Sequence, residues 1–403
     1  MFGTHLSRMG SVHRLGLVTR AIGILRKYGT DAHVYLPGVG TVSGLTAGNY
    51  LDSAGVTAAS VDNPVGLSLD ALQAMTMGSE LVTNGTNLVT TAGWTPTALS
   101  GAPASLSVSA GSLVVTNTGT TYGVAAQTVA VTSGKTYLVS ARLTKGTAAA
   151  ANIRVGSTAF GYEYIDQAAT SVAVPITCAF KATSGSVFIS LLNTNTPDGT
   201  GAYNNISVRE IPGIHATQAT TANKPILRLN SGKYSWQFDG SNDSLSLSAP
   251  LFQMSDDHAV IAGFNAAALS KYVFSQGNSG TAAQCGSLRV DGSGFPGAVW
   301  IDDAAANTLL SGSASCLGSN IVAAAVKIGN AKRLRVNGVQ SGATNNTVLG
   351  TTTLNSYSMG SLNGSSGNFQ GLISPVITIK GSVTDSDLLT LERWVGQLSG
   401  VSI

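Results

Sequence analysis

Charge is what this 403-residue sequence has least of. Asp, Glu, Lys and Arg together make up 10% of it, against roughly 25% in an ordinary soluble chain. The net charge of +3 is also unevenly placed: residues 1–33 hold Arg8, Arg14, Arg20, Arg26 and Lys27 against Asp31 alone, which is +4 and leaves −1 for the rest. A body with no basic surplus cannot neutralise a phosphate backbone, so nucleic acid is not expected as a partner. Three cysteines, Cys178, Cys285 and Cys316, none in a C-x-x-C pair, exclude a disulfide framework and read as reduced core thiols. No apolar run reaches the roughly 18 residues that would span a bilayer as a helix, so no membrane partner is expected. GLVTRAIGIL is split by Arg20 and followed by no small-residue cleavage site, so no cleaved leader is expected either.

What fills the gap is Gly (48 residues), Ser, Thr, Ala, Asn and Val, within a chain that is 43% hydrophobic. Val and Thr suit a pleated surface, and Gly and Asn supply the positive φ of tight hairpin turns. Alternating runs of this kind recur from residue 79 to 211: ASLSVSAGSLVVTN, TYGVAAQTVAV, KTYLVSARLTKG, ATSVAVPITCAF, SGSVFISLLN and YNNISVREI. No helical pattern intervenes, which argues a sandwich over βαβ units. After Ile211, Pro212 and Gly213 a second strand series runs from residue 212 to 403 and includes YSWQFDG, DSLSLS and KRLRVNGVQSG. It closes on a helix whose start is marked by Thr384 and Asp387, whose apolar face is Leu388, Leu391 and Val395, and whose stop is Gly400.

Ahead of the strands, Leu15, Val18, Ile22 and Leu25 recur at spacings of three and four, with Arg14, Arg20 and Arg26 elsewhere on the wheel. This predicts an amphipathic basic helix within residues 1–30 whose stripe needs a surface, and we expect that surface to be a partner protein. Residues 31–78, rich in turn chemistry, are expected to form an irregular adaptor, in which short alternating pieces such as GNYLDSAG suggest small strands. The fold class is therefore mainly β: two tandem antiparallel β-sandwiches behind an N-terminal helix and adaptor.

ELVTNGTNLVTTAGWT together with YNNISVREI resembles carbohydrate-binding-module-like jelly rolls across residues 79–211. ATQATTANKPILRL, WQFDGSNDSLSL, RLRVNGV and MGSLNGSSGNFQGLISPVITIKG resemble, in that order, the concanavalin A-like or laminin-G-like sandwich. QATTANKP with the closing LERWVGQLSGVSI, and YLDSAGVTAASVDNPVGLSLD at residues 50–70, are similar to phrases in tailed-bacteriophage virion proteins. The resemblance implies a non-enzymatic virion component of the fibre, decoration or tail type, assembled in the host cytoplasm. It would be held by other virion proteins through its N-terminus and form a homo-oligomer, with a trimer favoured. Host-glycan binding by a receptor-binding fibre, or a secreted lectin or adhesin, is the alternative.

The chemistry follows the same division. Glycoside hydrolysis needs two facing carboxylates, but the only glutamates are Glu80, Glu163, Glu210 and Glu392, widely separated, while the adjacent Asp302 and Asp303 would point to opposite faces of a strand. No enzyme activity and no cofactor is expected. For sugar stacking the candidates are Trp94, Tyr162, Tyr164 and Trp300, with Tyr162 and Tyr164 two apart and so on one strand face. The turn holding Asp239, Asn242 and Asp243 offers oxygens to a calcium ion, although an Asx-turn hairpin is the simpler reading.

Overall fold

The computed structural model describes residues 16–403 apart from 44, 54, 56, 120, 121, 195 and 303–306. Arg14, Leu15 and Asp303 lie outside the described residues. The chain divides into two compact units, and the division is not tandem. One unit is made of residues up to Ser53, Ala58–Met75 and Gly213–Ile403, and the other of Ala54–Thr57 and Thr76–Pro212. The second is thus nested in the sequence of the first.

The nested unit holds ten antiparallel strands: β1 (Thr95–Ala98), β2 (Ser105–Ser109), β3 (Ser112–Thr116), β4 (Gly123–Ala130), β5 (Thr136–Lys145), β6 (Ala150–Gly156), β7 (Ile165–Ala169), β8 (Val174–Lys181), β9 (Ser186–Thr194) and β10 (Thr200–Ile211). They form two five-stranded sheets, ordered β8-β5-β10-β3-β2 and β7-β6-β9-β4-β1. Strict alternation decides which residues face inward. In β9, Val187, Ile189 and Leu191 are fully buried and join Ile153, Val155, Tyr137 and Phe180 in one apolar core. The single run ASLSVSAGSLVVTN is a hairpin, β2 and β3, turning at Ala110 (φ 47°) and Gly111 (φ 73°), the two positive φ values of a type I′ turn.

The larger unit is a sandwich of an eight-stranded and a nine-stranded sheet. Its core combines Trp236, Phe238, Phe264, Phe274, Trp300 and Met359. The central strands of the eight-stranded sheet, His258–Ala266, Asn320–Ile328 and most of Gln370–Lys380, bury both faces, which is why Asn320–Ile328 reads NIVAAAVKI without alternation. The outer face is covered by the C-terminal helix, Asp385–Ser399, through Leu388, Leu391, Trp394 and Val395. That helix starts and stops as its sequence predicts, with Thr384 accepting from the Asp387 N–H at 3.1 Å and Gly400 at φ 77°. It packs so closely that a Cβ at Gly263 would lie 1.9 Å from Ser399 Oγ.

Three expectations change here. The described part of the N-terminal helix, residues 16–26, does not present a free stripe: Ala21, Ile24 and Leu25 are buried in the same cluster as the C-terminal helix, with Val18 and Ile22 packed against them. The need for a surface is met within the unit, while Arg20 and Arg26 stay exposed. Residues 31–78 are not an adaptor either. Ala32–Tyr35 pairs with Val376–Ile379 in one sheet, and Asn49–Tyr50 and Leu67–Ser68 extend the other. Buried Asp70 locks this segment in place, accepting from Val34 N at 3.1 Å and lying 2.6 Å from His33 Nδ1, while its own N–H donates to His215 Nδ1 at 3.1 Å. Finally, the turn after YSWQFDG is not a hairpin. Lys233–Asp239 belongs to one sheet and Leu245–Leu247 to the other, so Trp236, Phe238, Leu245 and Leu247 meet across the core.

Candidate functional site

On the face of the nested unit's β7-β6-β9-β4-β1 sheet that points away from its core lies a groove of about 530 Å³. Strand alternation puts its lining there: Phe188 and Ser190 of β9 sit beside Thr128 and Ala126 of β4, and Ala126 sits beside Thr95 of β1. Thr97, Thr83, Ala159 and Phe160 complete the walls with Gly93 and Gln127. Gln127 fixes the rim. Its amide donates to Thr83 O at 2.9 Å and Gly93 O at 3.0 Å and accepts from Thr83 N at 2.7 Å. Phe160 is held at φ 61°, a left-handed backbone that costs a bulky residue on the order of 1–3 kcal/mol.

The lining is chemically uniform. It offers the hydroxyls of Thr83, Thr95, Thr97, Thr128 and Ser190 and the rings of Phe160 and Phe188, and none of its residues is ionisable. Ser190 is 1% exposed and its Oγ has no protein partner, a deficit that costs about 1–3 kcal/mol unless water or a ligand fills it. On the same face Asn152 Oδ1 is likewise buried and unpartnered. One strand further, Arg154 pairs with Asp166 at 3.2 Å and lies 5.1 Å over the ring of Tyr162.

Of the aromatics singled out in the sequence, only Tyr162 is solvent-facing, at 62% exposure. Trp94 is buried with its Nε1 donating to Asn84 O at 3.1 Å. Tyr164 turns inward to stack on Phe180 at 5.1 Å, because residues 162 and 164 precede β7 and do not share a strand face. Trp300 is fully buried and donates to His258 Nε2 at 3.0 Å. A ring without a free face cannot stack on a sugar, so Trp94, Tyr164 and Trp300 are corrected to core residues. Phe188 was missed, although alternation through Val187, Ile189 and Leu191 places it on the outer face.

The calcium candidates are occupied by their own backbone. Asp239 Oδ1 accepts from Ser241 N at 2.8 Å and Asn242 N at 3.4 Å, and Asp243 Oδ2 accepts from Asp239 N at 2.9 Å. Burial raises Asp243 to a pKa of about 6. Among the described residues no three His, Cys, Asp or Glu side chains gather as a metal site.

One pair has the composition of a nucleophile and base: Cys285 Sγ is 3.8 Å from His258 Nε2. Both are fully buried. Burial pushes the thiol far up and His258 down to about 3, and His258 Nε2 already accepts from Trp300 Nε1, an environment that favours the neutral thiol and leaves the imidazole poorly placed to activate it. The four glutamates are equally committed. Glu80 accepts from Ser207 Oγ and Val208 N, Glu163 from Ser157 N, and Glu210 and Glu392 pair with Lys135 and Arg335.

No protein-family model matches the chain, and no curated protein matches it. Among solved structures it is similar to one described as "CBM4 structure and function", at 20% identity over 32% of this chain and 99% of that one, with a TM-score of 0.26. It is similar also to the botulinum neurotoxin serotype D binding domain, at 11% identity over 45% of this chain and 49% of that one, TM-score 0.34. Trypanosoma rangeli sialidase is similar at 11% identity over 73% and 62%, TM-score 0.37. The chain thus spans about half the length of the neurotoxin domain and under two thirds of the sialidase. No virion protein is among these three, and likeness of this degree transfers no activity.

Proposed function

We propose that the protein is a non-enzymatic, glycan-binding β-sandwich protein whose binding site is the groove over β1, β4 and β9. The observation that carries this reading is the buried, unpartnered Ser190 Oγ in a groove lined by hydroxyls and two phenyl rings. Saccharides present hydroxyls that donate and accept and C–H faces that stack on aromatic rings, and this lining answers both. Screening the full-length protein on an oligosaccharide array, followed by calorimetry on any binder, tests it. Phe188→Ala should weaken binding at least about tenfold, equivalent to about 1.4 kcal/mol, and Ser190→Ala less. An array without signal, or a binder indifferent to both substitutions, overturns the site.

The virion setting rests on the sequence phrases at residues 50–70, 218–225 and 391–403. In that setting attachment would fall to the exposed Arg20 and Arg26, since Ile22 and Leu25 are engaged within their own unit. Peptides of this chain in purified phage particles support the setting; their absence from the particles of its own phage removes it.

A further inference from the structure

A sheet edge carries unpaired N–H and C=O groups, and soluble proteins block such edges with proline, charge or a bulge. The nested unit has four edge strands. Strand β1 contains Pro96, β7 contains the ion-paired Asp166, and β8 contains Pro175 and Lys181. Strand β2, SLSVS, contains none of these, and its pairing with β3 runs without a register shift over all five residues. No charged residue occurs anywhere from Leu81 to Gly134.

We infer that the β2 edge is a self-association surface whose occupant is the β2 edge of a second copy, paired antiparallel about a two-fold axis through Ser107. Two features of the strand select a second copy. With the axis at Ser107, Leu106 meets the partner copy's Val108 and Ser105 meets its Ser109, so apolar lies beside apolar and serine beside serine. Leu106 and Val108 already pack against the unit's core while the three serines are exposed, so the joined sheets would share one apolar and one polar face. An uncharged edge also meets its own copy without opposing like charges, and offers nothing to recruit a charged peptide. An isologous pairing closes at two copies, so this surface makes a dimer and not the trimer expected from the sequence.

The test uses the full chain with Ser107→Cys and, as control, Thr177→Cys on the blocked edge strand β8. The native cysteines are buried and leave a low background. Light scattering should show a concentration-dependent dimer, mild oxidation should cross-link Ser107→Cys but not Thr177→Cys, and Ser107→Lys should raise the dimer dissociation constant at least about tenfold. A monomer at all concentrations, a trimer, equal cross-linking at both positions, or a dimer that survives Ser107→Lys overturns the inference.

Discussion

The two units solve burial in opposite ways. The larger one hides ionisable groups throughout: His33, Asp70, His215, Asp243, His258, Asp291, Asp302, Lys327, Lys332, Arg335 and Glu392 are all buried. Among the described residues of the nested unit the buried amide and hydroxyl side chains include Asn117, Gln127, Thr136, Asn152, Ser190 and Asn193, and no Asp, Glu, His, Lys or Arg is buried. A core cross-linked by charge is specific but sensitive to pH, whereas one closed by apolar packing and amides is indifferent to it. The unit with the neutral core is also the one that carries the groove and the unblocked edge.

The sharpest way to break this contrast is to orphan a buried charge. Arg335 donates to both oxygens of Glu392 at 2.9 Å, tying a strand to the C-terminal helix. Glu392→Ala should destabilise the larger unit by about 3–5 kcal/mol and leave the nested unit's transition in place, as calorimetry would show. If both transitions fall together, the units do not unfold independently.

Acid comes next. His258 has its pKa lowered by burial to about 3 from an ordinary 6.5. Between those values the unfolded chain takes up a proton that the folded one refuses, so this contribution is full above pH 6.5 and is lost as pH falls toward 3. Asp243 acts in the opposite sense. Its pKa is raised by burial from 3.8 to about 6, so its contribution is full below pH 3.8 and is lost as pH rises to 6. Asp243→Asn should therefore stabilise the larger unit at pH 7 and steepen its loss on acidification, read as melting temperature against pH. A flat profile from pH 6.5 to 4 in this variant would contradict the assignment for His258. The smallest effect is Thr384→Ala, which removes the cap on Asp387 N and should cost about 1 kcal/mol in the same unit.

The contrast also explains what the sequence disclosed. Strands with a buried apolar residue at every second position, such as β5 (Tyr137, Val139, Ala141, Leu143) and β9 (Val187, Ile189, Leu191), and the capped terminal helix announce themselves by period. Strands β1, β6 and β7 do not: TPTA, AANIRVG and IDQAA are short or built from alanine, which packs inward without signalling a face. Small strands within residues 31–75 were legible in pieces such as GNYLDSAG, but their sheet partners were not, because these lie as far as residue 379. The stacking candidates failed for a related reason. Trp94 and Trp300 are sugar-stacking residues by type, but type does not say which way a ring points; for Phe188, alternation does.

The nesting of one unit inside the other sets a timetable. Leu67–Ser68 pairs with Ala216–Thr217, and Ala32–Tyr35 with Val376–Ile379. On a ribosome adding roughly 5–20 residues per second, the nested unit can close as soon as Ile211 emerges. The strand at Ala32, however, waits on the order of 20–70 s for its partner. During that interval the His33 and Val34 segment is an unfinished sheet edge, open to misassembly until Val376–Ile379 has been made.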